Sequence, residues 1–135
     1  MIPIDYVAGI FDGEGNIGFQ MAKKRRQPSS IRCRLGMKCS IVPELLRIQF
    51  GGRITRYKKS GMIQWDVTGP EAYSFLREVD SHLIIKRPQA ILAMEYHLKL
   101  HKPGIKLSEC ERESRWTDFQ EMKRLNRAQY EETTQ

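Results

Sequence analysis

Glu14 stands between Gly13 and Gly15, two residues after Asp12, at the end of the run Tyr6-Val7-Ala8-Gly9-Ile10-Phe11-Asp12-Gly13-Glu14-Gly15. A carboxylate at a helix C-terminus lies among free carbonyls at the negative end of the helix dipole, and it is disfavoured there unless a cation joins it. Magnesium, a hard divalent ion, takes carboxylate, carbonyl and water oxygens. Glu14 is therefore a candidate metal ligand. A second chemistry lies in the cations that follow. Residues 16–68 hold Lys23, Lys24, Arg25, Arg26, Arg32, Arg34, Lys38, Arg47, Arg53, Arg56, Lys58 and Lys59 against only Glu44 and Asp66. Solvated protein surfaces usually mix the two signs. One-signed charge of this density, in a chain of net charge +7, points to a polyanionic partner.

The elements that position these groups follow from periodicity. Val7, Ile10 and Phe11 fall at i, i+3 and i+4, one apolar stripe of a short helix that Gly13 and Gly15 are expected to end. On adjoining rows of that helix Ala8 pairs with Asp12 and Gly9 with Gly13. A face this small lets a second backbone approach closely. Alternation then predicts a strand over Asn16–Arg26, with Ile17, Phe19 and Met21 inward and Gln20, Lys24 and Arg26 outward. Gln27-Pro28-Ser29-Ser30 reads as a turn. A second strand puts Ile31, Cys33, Leu35, Met37 and Cys39 on one side and Arg32, Arg34, Gly36 and Lys38 on the other.

A short helix over Pro43–Phe50 is stopped by Gly51-Gly52. A second hairpin, Arg53–Tyr57 and Ile63–Thr68, turns at Lys58-Lys59-Ser60-Gly61. Its inward residues are Ile54, Ile63, Trp65 and Val67, which leaves Thr55, Tyr57, Gln64 and Asp66 outward. A two-stranded ribbon fits the DNA major groove, so these outward side chains are candidate base contacts and Lys59 at the turn a phosphate contact. Helices are expected from Gly69 to about Val79, from Arg87-Pro88 to about Leu100 with Ile91, Met94 and Leu98 as its core stripe, and from Ser114 to Tyr130 with Trp116, Phe119, Met122 and Leu125 on one face. The fold class is α+β, in the order α-β-β-α-β-β-α-α, with an extra helix at the C-terminus.

The chain of 135 residues predicts one domain, 1–135. No apolar run approaches the roughly 20 residues of a membrane span, and the N-terminus lacks a signal-peptide pattern. Cys33, Cys39 and Cys110 are odd in number and fit no close-spaced metal motif, so they read as reduced thiols of an intracellular, reducing compartment.

Val7 to Gly15, V-A-G-I-F-D-G-E-G, resembles the nine-residue LAGLIDADG motif of the homing endonucleases, with matches at Ala8, Gly9, Asp12 and Gly15. The organisation of residues 5–100 is also similar to that family's core, in which two hairpins form a saddle over the DNA major groove. The resemblance implies an intron-encoded, metal-dependent nuclease acting on double-stranded DNA. One motif per chain implies a homodimer, with Ala8, Gly9, Asp12 and Gly13 at the interface. It further implies that Glu14 and the Gly13 carbonyl hold Mg2+ or another divalent cation such as Mn2+, and that Asp12 serves the helix end rather than the metal. Lys86, in Leu83-Ile84-Ile85-Lys86-Arg87-Pro88, matches the family's basic residue near the active-site water; read without the resemblance it is an exposed lysine at a helix start. The polar residue expected near the end of the second strand, often Gln, is replaced by Lys38 or Cys39, depending on register. A non-cleaving relative that binds RNA as a splicing maturase, or DNA as a regulator, is the alternative, and a basic protein on ribosomal RNA a remoter one.

Overall fold

The computed structural model describes residues 1–22, 27–100 and 106–133. Helix α1 (Ile4–Glu14) passes without an intervening residue into strand β1 (Gly15–Ala22). Then come β2 (Gln27–Met37), α2 (Ile41–Phe50), β3 (Arg53–Arg56), β4 (Ile63–Thr68) and α3 (Gly69–Val79). A 3-10 turn at Asp80–His82 leads to α4 (Arg87–Leu98) and α5 (Glu109–Thr133). The strands form one antiparallel sheet in the order β1-β2-β4-β3, so the two hairpins join through β2 and β4. This is the expected α+β architecture.

The inner face of the sheet is apolar because strand side chains alternate. Ile17, Ile31, Cys33, Leu35, Trp65 and Val67 are buried there, in one core with Val7 and Phe11 of α1 and Ala72, Phe75, Leu76 and Val79 of α3. Phe75 meets Phe11, Phe50 and Trp65 edge-on at centroid distances of 5.1, 5.0 and 5.1 Å. Such pairs add about 0.5–1.5 kcal/mol each beyond their buried area. The Trp65 Nε1 donates to the Gly51 carbonyl at 2.8 Å, where Gly51, at φ +82°, ends α2. The three cysteines are unpaired. Among the described residues no helix is long and apolar enough to cross a membrane.

Several local expectations are corrected. Gly13 lies inside α1 and Gly15 is extended, at φ −87°. Gly15 is required for space: a Cβ there would lie 2.3 Å from the Phe11 ring and 2.6 Å from the Phe11 carbonyl. Gln27-Pro28-Ser29-Ser30 is strand, not turn. Pro28 pairs with Met21 where the β1–β2 register shifts, and proline is tolerated at such irregularities. The same shift takes Met21 off the inner face and leaves it exposed.

In α4 the buried positions are Gln89, Ala90, Ala93 and Tyr96, while Ile91 and Leu98 are exposed. Small Ala90 and Ala93 admit a close approach, and the Tyr96 hydroxyl reaches over to donate to the carbonyls of Pro28 and Ser29. Of the expected stripe Ile91, Met94 and Leu98, Met94 is half-buried against the core, and apolar bulk misplaced the other two. Trp116 is also exposed, lying edge-on against Phe119.

Candidate functional site

The outer face of the sheet is a small array of rows set by the strand register. Asn16, Arg34, Asp66 and Arg53 are cross-strand partners in one row spanning all four strands. On one side lies the row Gly18–Arg32–Thr68, and on the other Gly36–Gln64–Thr55. The expected parity of Arg32, Arg34, Thr55, Gln64 and Asp66 therefore holds. Gly18 contributes no side chain to the array, and Gly36 makes room for the Met62 side chain, whose Sδ would lie 3.2 Å from a Cβ there.

Asp66 departs from its expected role. Its side chain is only 3 % exposed, because Arg32 Nη2 donates to Oδ2 at 2.9 Å while Arg53 donates through Nε to Oδ1 at 2.9 Å and Nη2 to Oδ2 at 3.4 Å. A carboxylate closed over by two guanidinium groups does not face a ligand. Arg34 Nη2 donates to Asn16 Oδ1 at 3.4 Å. Gln20 is exposed at the rim of β1, its Oε1 accepting from Ser30 Oγ. Tyr57 and Lys59 are exposed at the β3–β4 turn, and Lys38 is exposed just past the end of β2. Lys24 and Arg26 lie outside the described residues. Two of the twelve cations belong elsewhere: Arg47 and Arg56 both pair with Glu44 of α2.

Glu14 marks a corner of this sheet, where α1 becomes β1. It is exposed, as is Gly13. Two residues back, the Asp12 carboxylate turns inward and accepts three backbone N–H groups: Ile84 at 2.7 Å and Ile85 at 3.2 Å on Oδ2, and Lys86 at 3.0 Å on Oδ1. Asp12 thus clamps the approach to α4 onto the end of α1, the helix-end role expected of it. Lys86 is not an exposed lysine. It is 3 % exposed, and its Nζ donates to the Asp12 carbonyl. Burial pushes its ammonium below the ordinary lysine range, while the charges of Asp12 and Glu14 act in the other direction. Lys38 and Cys39, the alternatives for the polar position, are both exposed and both beyond the last residue of β2.

The expected small-residue face of α1 divides in two. Ala8 is fully buried in this chain's own core and Asp12 is occupied by the clamp, so neither is open to a second copy. At Gly9 and Gly13 a Cβ would meet nothing within 4 Å. Glycine inside a helix costs about 1 kcal/mol relative to alanine, and no contact within the chain requires it at these two positions. Tyr6, Ile84 and Ile85 are exposed apolar residues of the same chain segments.

The carboxylate of Glu14 and the carbonyl of Gly13 are hard oxygen donors suited to magnesium. Among the described residues no group of three His, Cys, Asp or Glu side chains converges. Sequence reasoning missed Asn16 and Arg53. The alternation that turns Thr55 outward turns Arg53 outward too, so Arg53 was legible. Asn16 emerges only from the register that sets it opposite Arg34.

No protein-family model and no curated protein sequence matches the chain. Solved structures do. The archaeal intron-encoded homing endonuclease I-Vdi141I, complexed with DNA, aligns with a TM-score of 0.75 at 17% identity, over 90% of this chain and 82% of that one. The homing endonuclease I-CvuI, in complex with the I-CreI target in magnesium with the DNA not cleaved, gives 0.72 at 17% identity over 90% and 80%. The homing endonuclease I-TnaI gives 0.66 at 21% identity over 97% of both chains.

Proposed function

This chain has the fold of the LAGLIDADG homing endonucleases, and from that premise we propose that it is a site-specific DNA endonuclease working as a homodimer with a divalent metal ion. The observation that carries the proposal is the placement of an exposed acid at the corner of a cationic sheet face. The rows of Arg32, Arg34, Arg53, Gln64 and Thr55 meet the edges of bases, and Lys38, Lys59 and the other peripheral cations meet phosphates. Arginine takes guanine bidentately and glutamine takes adenine, whereas phosphate contacts position the protein without reading sequence.

Glu14 and the Gly13 carbonyl would hold the metal, with phosphate oxygens and water completing its shell. A divalent ion bound there supplies water activation and stabilisation of the leaving oxygen. Lys86 supplies a buried cation beside this corner, held by Asp12. Two copies related by a two-fold axis along α1 bring two Glu14 residues to one duplex, one for each strand, and make the target a pair of half-sites.

Gly9 gives a clean test of the assembly. Because a Cβ at Gly9 meets nothing within 4 Å in its own chain, Gly9→Leu is expected to fold as well as wild type and to sediment as a monomer where wild type sediments as a dimer. A wild-type monomer at micromolar concentration in analytical ultracentrifugation overturns the homodimer. For the activity, purified protein with magnesium and a randomised duplex library is expected to yield cut ends on both strands within one enriched, partly palindromic sequence. Enrichment without cut ends supports the second reading, a non-cleaving binder of DNA or RNA. The exposed Lys38 and Cys39, standing where the family pattern has a polar residue such as Gln, favour that reading.

A further inference from the structure

The Asp66 carboxylate holds the centre of the outer face, yet it faces no solvent. It is flanked in its own row by Arg34 and Arg53, and Arg32 reaches it diagonally from the next row. Three strands, β2, β4 and β3, are tied through this one carboxylate. The two guanidinium groups it holds differ in what they have left to offer. The side chain of Arg32 is 26 % exposed, gives one Nη2 bond to Asp66 and keeps a buried Nε with no partner. The side chain of Arg53 is 70 % exposed, and its Nε and Nη2 are spent on Asp66, so its Nη1 edge is the one directed away from the clamp.

An arginine side chain carries about 2 kcal/mol of rotamer entropy. A long, exposed arginine on an open sheet would lose that freedom on binding a base, and its discrimination would fall accordingly. Here a single carboxylate removes the freedom in advance for both arginines. A buried aspartate that only balanced charge would need one partner. This one is shared, and it fixes the planes of two forks on the strands that flank β4 on either side. A guanidinium reads a base edge only when its plane is set.

We infer that Arg53 and Arg32 form a pre-set pair of base-reading arginines, and that Asp66 is their positioning residue, touching no nucleotide itself. This rests on the proposal above that the outer face binds duplex DNA. It goes beyond that proposal by turning Asp66 from a base contact into the group that aims two others, Arg32 and Arg53.

The test is Asp66→Asn, profiled against a library of single-base variants of the enriched site, with thermal melting as the check on folding. The amide keeps the size of the carboxylate but presents an NH2 group to one of the two guanidiniums. The substitution also removes a negative charge from the face. A purely electrostatic role for Asp66 therefore predicts unchanged base preferences and tighter binding to every sequence. A positioning role predicts that preferences of the order of tenfold or more, at one or two adjacent base pairs of each half-site, collapse to within about twofold, while affinity for non-specific duplex is equal to or above that of wild type.

Arg53→Lys keeps the charge at an exposed position, removes only the fork, and is expected to flatten preference at a subset of the same base pairs. It decides the matter if Asp66→Asn does not fold. An unchanged profile, or a uniform loss across all positions, overturns the inference while leaving DNA binding intact. If wild type enriches no sequence at all, the proposed function falls, and the inference falls with it.

Discussion

Glu14→Gln is expected to abolish strand cleavage in magnesium while leaving duplex affinity within about threefold of wild type. The asymmetry follows from position. Glu14 is exposed at the end of α1 and contributes nothing to the core, so the variant should fold. It also stands apart from the rows of arginines to which the proposed function assigns binding. What the substitution removes is the charge of a hard-metal ligand, and a neutral amide is a poor replacement. Loss of metal-derived stabilisation is worth several kcal/mol in the transition state, hence a fall of roughly 10^3-fold or more in rate. Single-turnover cleavage with magnesium, beside a gel-shift titration without it, measures both quantities. Cleavage by the variant within tenfold of wild type would remove Glu14 from the metal site.

Asp12→Ala should be the most damaging single change to stability near the corner. It deletes the acceptor of three backbone N–H groups, one of them, at Lys86, fully enclosed. It also takes the nearer of two carboxylate charges from the buried Lys86 ammonium, leaving it the residue-12 carbonyl and the more exposed Glu14. Ile84 is exposed and its N–H can turn to water, but the Lys86 N–H cannot. Stranding a buried donor and weakening the hold on a buried cation costs about 3 kcal/mol, a drop in melting temperature of about 10 °C for a chain of this size. Asp12→Asn, which keeps one acceptor oxygen, should lose about half as much. Thermal unfolding followed by circular dichroism separates them, and an alanine variant melting within 2 °C of wild type would mean that the clamp contributes little.

Strand parity was the most legible part of the molecule. A period of two is short, and the inward residues Ile17, Ile31, Cys33, Leu35, Trp65 and Val67 are apolar without exception, so the facing of Arg32, Arg34, Thr55 and Gln64 followed directly. Parity says which side a residue takes, but not whether a neighbour covers it. That is why Asp66 was given a direct contact that two arginines deny it. The register shift after Phe19 defeated the same rule at Met21, since one irregular pairing reverses the alternation.

The helices were less legible for a different reason. Burial in α4 was decided by how near the helix comes, which favours Ala90 and Ala93, and not by the bulk of Ile91 and Leu98. For α1, small residues marked two functions at once: Ala8 for packing within the chain, Gly9 and Gly13 for the open side. Lys86 looked exposed because its burial depends on Asp12, 74 residues away in sequence.

The direct passage from α1 into β1, with no residue between Glu14 and Gly15, carries an evolutionary consequence. The clamp of Asp12 on residues 84–86 and the outer-face rows share no side chain. Substitutions among Asn16, Arg32, Arg34, Arg53, Thr55 and Gln64 can therefore accumulate without shifting the corner that carries Glu14. A lineage built this way can remodel its outer face while the helix-to-strand junction that carries Glu14 stays constant, because that junction is held by Asp12 and residues 84–86 rather than by the residues of the rows.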